Sequence, residues 1–140
     1  LSSGYGKGAA AIELTASGDR FRATTIWEHT RMKNKLSSSV LLDGSLYGLD
    51  EGILACVDAA TGQLAWKGGR YGHGQVILAG DRLLITTETG ELALVHATPA
   101  RFEELARVPG IEGRTWNVPA IEDGILLVRN ASEMAAFDIR

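Results

Sequence analysis

Three segments of the chain gather residue types that bind polar ligands. Arg31–Ser39 brings Lys33, Asn34, Lys35 and Ser37; Gly68–Gln75 brings Arg70, Tyr71, His73 and Gln75; Glu112–Pro119 brings Arg114, Thr115, Trp116 and Asn117. Each pairs a cation with amide, hydroxyl or aromatic groups. That combination suits an anionic or sugar-like ligand if the fold makes the three segments converge. The opposing reading, a solvated rim with Trp116 packing between repeats, stays open at this point. Four glycines in the second segment leave its backbone unusually accessible.

Other chemistry is scarce. His29, His73 and His96 are far apart, and two of them fall at or near strand-like run ends, where a structural role is expected. No H-E-x-x-H, C-x-x-C or G-x-S-x-G is present, and Gly4–Ala10 lacks the spacing of a phosphate loop. Asn130-Ala131-Ser132 is a formal glycosylation acceptor, too short a pattern to carry weight alone. Cys56 is the single cysteine, so no intrachain disulfide forms; flanked by Ala55 and Val57, it reads as a buried small hydrophobe. A net charge of −3 argues against a general polyanion surface, and no nucleic acid partner is expected. No run approaches the roughly 18 apolar residues of a membrane helix, and no signal peptide is visible. At 140 residues a single domain is expected. The chain opens Leu1-Ser2-Ser3 without Met, which reads as a processed or excised piece.

The elements that must hold the three segments are short alternating runs. Ser39–Leu42, Ser45–Leu49, Ile53–Asp58 and Gln63–Lys67 are separated by Asp43-Gly44, Asp50-Glu51-Gly52 and Ala60-Thr61-Gly62. Asp-Gly between alternating apolar runs predicts a hairpin, so this stretch predicts a four-stranded meander. Asp58 is placed to accept backbone N–H groups in the turn before Gly62. The pattern recurs: Gly90 takes the place of Gly52, Asp123-Gly124 that of Asp43-Gly44, and Trp27 and Trp66 end corresponding last strands. Ala100–Val108 could form a helical turn, but its place in the repeat makes it an outer strand. Four strands per period of about 40 predict propeller blades. The expected fold is all-β: a partial β-propeller of about three and a half four-stranded antiparallel blades, at 1–30 (incomplete), 31–69, 70–110 and 111–140 (incomplete). Trp66 is expected to pack against the following blade.

Asp43, Gly44, Leu46, Tyr47, Asp50, Gly52, Leu54, Asp58, Thr61, Gly62 and Trp66 match a pattern that resembles the repeat of quinoprotein-type propellers. The next repeat departs from it, with His96-Ala97-Thr98-Pro99-Ala100 in place of Asp-Ala-x-Thr-Gly and no closing Trp. Related proteins include quinone-dependent dehydrogenases and a non-catalytic outer-membrane assembly lipoprotein, and they close rings of about seven or eight blades. The resemblance implies the C-terminal part of such a protein, exported to the periplasm or cell exterior. It also implies that Lys33, Asn34, Lys35, Arg70, Tyr71, His73, Arg114, Trp116 and Asn117 line a channel mouth. An open arc exposes blade faces and strand edges, so self-association or a protein partner completing the ring is expected. A non-catalytic scaffold without cofactor is the first reading, since no catalytic constellation is visible. A fragment of a PQQ-dependent dehydrogenase is the alternative, with Trp116 as stacking platform and Asn117 as polar or calcium contact.

Overall fold

The computed structural model describes residues 1–140, and every alternating run becomes a strand. The first sheet is β1 (Ser2–Ser3), β2 (Gly8–Ser17) and β3 (Arg20–His29). The second is β4 (Val40–Leu42), β5 (Ser45–Asp50), β6 (Ile53–Asp58) and β7 (Leu64–Arg70). The third is β8 (Gln75–Ala79), β9 (Arg82–Thr86), β10 (Glu91–His96) and β11 (Glu104–Pro109). The fourth is β12 (Ala120–Glu122), β13 (Ile125–Arg129) and β14 (Met134–Asp138). All pairings are antiparallel meanders in chain order. The chain forms a partial β-propeller of about three and a half blades. The first sheet lacks a counterpart of β4 and the fourth a counterpart of β7.

Local chemistry sets the turns. Asp43-Gly44 and Asp123-Gly124 both hold positive φ at each residue (45° and 78°; 48° and 76°), the two-residue turn whose twist matches the flanking strands. Asp58 Oδ1 accepts the Thr61 N–H and the Thr61 hydroxyl, each at 2.7 Å, which shapes the β6–β7 turn as expected. Of Ala100–Val108, the run expected as an outer strand, Glu104–Val108 lies in β11, while Ala100–Glu103 belongs to the connection before it. One boundary differs from expectation: β7 continues three residues past Lys67, so Arg70 ends a strand.

Apolar residues on facing sheet surfaces form three cores. Ala9, Met32, Ala55 and Val57 join the first two sheets. Tyr47, Leu49, Cys56, Leu83, Ile85 and Val95 belong to the larger core between the second and third. Leu84, Leu92, Leu126 and Val128 join the third and fourth. Cys56 is fully buried, and burial pushes its thiol pKa up.

A tryptophan latches each of the first two junctions. Trp27 Nε1 donates to the Ala59 carbonyl at 2.9 Å, and Trp66 Nε1 to the Thr98 carbonyl at 2.8 Å; each acceptor lies 32 residues on, in the next sheet's β-turn. The Trp66 ring meets Tyr47 (6.0 Å) and, edge-on, Phe102 of the β10–β11 connection (5.7 Å). Gly62 sits under Trp27: a Cβ there would lie 2.7 Å from the indole, so only glycine permits the contact.

Trp66→Ala is expected to cost about 3 kcal/mol of unfolding free energy through lost packing. Trp66→Phe, which keeps most of the packing and loses the N–H bond, is expected to cost about 1 kcal/mol. Urea denaturation checks both, and a loss below about 1 kcal/mol for the alanine variant contradicts the latch.

Candidate functional site

The connections entering β4, β8 and β12 run over one face of the arc, together with the β5–β6, β9–β10 and β13–β14 turns. Gln75, buried at the start of β8, ties the three predicted segments together. Its Nε2 donates to the Leu36 carbonyl of the first (2.6 Å) and the Trp116 carbonyl of the third (2.9 Å). The segments therefore do meet.

Their side chains do not form one open site. The Lys33 ammonium lies 3.2 Å from Asp50 and 3.6 Å from Glu51. Asn34 donates from Nδ2 to Ser39 Oγ at 2.7 Å, while its Oδ1 and the Ser37 hydroxyl are buried without a partner. Lys35 reaches away over the Tyr5 ring, 4.9 Å from its centroid. Arg70 is exposed on the last residue of β7 rather than in a loop. Tyr71, placed by its neighbours on an open glycine-rich rim, is instead buried in the second–third core. Its hydroxyl donates to Glu104 Oε2 of the outermost strand at 2.5 Å, and the Arg107 guanidinium covers its ring at 4.8 Å. Burial, then the Glu104 carboxylate, raises the Tyr71 pKa well above its ordinary value.

The other four positions stay on the rim. His73 donates its backbone N–H to Glu88 Oε2 at 3.0 Å. Trp116 is exposed, not packed between blades, and donates from Nε1 to Glu88 Oε1 at 3.1 Å. Arg114 lies over the Trp116 ring at 4.8 Å. Asn117 is half-buried beside it. A shallow depression of about 430 Å³ lies among Glu88, Thr89, Gly113 and Arg114.

Two carboxylates that sequence reasoning left aside organise this face. Asp50 is buried; it accepts the Lys33 N–H (3.0 Å) and the Lys67 ammonium (2.6 Å). Burial pushes its pKa up, yet the bonds from Lys67 and Lys33 outweigh that and hold it below the ordinary value. Glu88 is also held low, first by the His73 N–H. Asp50, Glu88 and Asn130 occupy one repeat position, at the same offsets as Gly52 with Gly90 and Asp43 with Asp123. The signal was there once the repeats were aligned. Asn130, the amide of the set, donates to the Glu112 carbonyl at 2.7 Å and accepts the Ser132 and Glu133 N–H groups.

Chemically the face offers hydrogen-bond donors and cations, with no nucleophile beside a base. No three His, Cys, Asp or Glu side chains converge as metal ligands. Arg114 covers one face of the Trp116 ring, and no group of carboxylates of the kind calcium draws on gathers beside it.

No known family matches the chain, and no curated protein matches it. Among solved structures the fold is similar to the computationally designed Ika8 protein (TM-score 0.63, 14% identity, 82% of this chain and 36% of that one). It is similar to BamB from Moraxella catarrhalis (TM-score 0.61, 13% identity, 81% and 33%). It is also similar to a europium-containing methanol dehydrogenase (TM-score 0.50, 13% identity, 72% and 23%). The chain spans about a third of the length of the first two. At these identities the likeness is one of fold.

Because Asp50, Glu88 and Glu104 all have lowered pKa values, they contribute stability that is present above the unfolded carboxylate values of about 4 and lost as pH falls through the lower folded values. Unfolding free energy should therefore be flat from pH 7 to 5 and drop below pH 4. Asp50→Asn should cost about 1–3 kcal/mol at pH 7, and with Glu88→Gln should flatten the acid limb. An unchanged acid limb in the double variant contradicts this account. Arg70→Ala should leave stability within about 0.5 kcal/mol of wild type.

Proposed function

We propose that the chain is a non-catalytic propeller arc that works as a protein-interaction scaffold. The observation that carries this is the β2–β3 hairpin. Its strands are ten residues long, against three to seven in β4–β14, and from Ile12 to Ile26 both faces are exposed. Leu14, Phe21 and Ile26 are 67%, 76% and 59% exposed there. Apolar surface held out on an unpaired outer strand is costly to leave free, and it supports a protein contact. Glu13, Asp19, Arg20 and Arg22 put both signs of charge on the hairpin, so it can meet its own copy without net repulsion. The occupant we assign is a second copy.

The internal commitments of Lys33, Tyr71 and Trp116 argue against a small-ligand role for the rim as a whole. The likeness to a methanol dehydrogenase extends to fold alone, and nothing in these blades favours oxidoreductase chemistry. An exported location goes with the repeat resemblance and is part of this reading.

Light scattering on a sizing column tests it. The wild-type chain is expected at twice its 14.9 kDa mass, and Phe21→Glu with Leu14→Glu at the single mass with unchanged circular dichroism. A folded wild-type monomer at high micromolar concentration rules out self-association through the hairpin.

A further inference from the structure

The third junction lacks its latch. In the outer ladders Trp27 pairs with Ala11 and Trp66 with Cys56, and the register slips immediately afterwards in each case. The same slip follows the Leu94↔Ala106 pair, so Ala106 stands where an indole stands in the two preceding sheets. Leu84 likewise replaces Tyr47, the next residue across the ladder. The acceptor side is retained. Ile139 N–H donates to the Gly124 carbonyl as Ala59 N–H donates to Gly44, both at turns of the same kind, which makes the Ile139 carbonyl the counterpart of the one Trp27 uses.

Where the ring would lie there is a half-open apolar groove of about 340 Å³, with Ala106, Val108 and Ile139 exposed at its margin. Its walls include Leu84, Leu94, Ala106 and Val108 from the third sheet and Ile121, Leu126 and Ile139 from the fourth, and ten of its eleven lining residues are hydrophobic.

We propose that this groove is a binding site for a planar aromatic ligand of the indole class, seated as Trp66 is seated one junction earlier, with its ring N–H donated to the Ile139 carbonyl. The site selects flat bicyclic rings because two sheets form its walls. It selects an N–H because the Ile139 carbonyl, just past β14, is the counterpart of the one the latch indole of the first junction addresses. It stands independently of the hairpin contact.

Indole itself is the probe, titrated into the 140-residue chain and followed by amide NMR shifts and thermal melting. Binding with a Kd of about 0.1–1 mM is expected for a ligand of this size, with shifts centred on Leu94, Ala106, Ile121 and Ile139. Indene, which has the shape without the N–H, should bind about 3–10-fold more weakly. Ala106→Trp should fill the groove, melt at higher temperature and abolish the indole response. Ala106→Met serves as a second blocking variant if the tryptophan variant misfolds. No response up to the solubility of indole, shifts centred elsewhere, or undiminished binding in a folded blocking variant overturns the site. Equal affinity for indene and indole overturns the assigned hydrogen bond.

Discussion

Two indole N–H groups, those of Trp27 and Trp66, each reach across a sheet junction to a turn carbonyl 32 residues further along. Much of the remaining architecture follows from that contact. A four-stranded sheet with apolar residues on both surfaces has no stable existence alone; each face must find another. Apolar packing supplies the driving force but fixes no spacing or angle, because hydrophobic contact is non-directional. A hydrogen bond from a rigid bicyclic ring to a turn carbonyl does fix them, since the ring must lie flat on the sheet and its N–H must aim at one oxygen. The Asp58–Thr61 bonds that shape the β6–β7 turn, and the bare backbone at Gly62 beneath Trp27, are both requirements of the same docking.

The face of the arc obeys a second constraint, the need to satisfy loop backbone that crosses from the outside of one sheet to the inside of the next. One repeat position does this three times with different chemistry. Asp50 and Glu88 accept N–H groups of the incoming loops, whereas Asn130 donates to a loop carbonyl and takes N–H groups from its own turn. Asp50 carries the largest desolvation burden and has two ammonium groups as compensation, Lys33 and Lys67. These assignments explain why several residues that look like ligand contacts in isolation are unavailable to a ligand. Lys33 neutralises a buried carboxylate, and the Trp116 indole N–H is satisfied by Glu88.

Strand order, the Asp-Gly turns and the docking tryptophans were legible in the residues because each is local: alternation, a two-residue turn and a spacing. The rim was legible only in part. Arg70 was assigned to a loop because the alternating run stops at Lys67, yet a register slip beside Ile53 lets β7 continue and pairs Arg70 with Ile53. Tyr71 sits among glycines, a context that suggests exposure, but its ring turns into the junction because Glu104 and Arg107, more than thirty residues away, receive it. Asp50 and Glu88 read as ordinary turn residues until their common place in the repeat is compared. In each case the deciding partner lies on another strand or another sheet, and no local pattern carries that information.

The departures from the repeat are where the molecule differs from a uniform arc. The first sheet extends into a hairpin that no neighbour covers, and the third junction trades Tyr and Trp for Leu and Ala, which leaves space where the other two junctions have a ring. Without the indole contact and its directional bond, that junction rests on the packing around Leu84, Leu92, Ile111, Leu126 and Val128 and on loop hydrogen bonds such as Asn130 to the Glu112 carbonyl. A junction without its latch lacks the ring contact that sets the spacing of the other two. A filled groove and a tightened junction are then the same event: an occupant that supplies both a flat ring and an N–H restores the constraint that the other two junctions build in covalently.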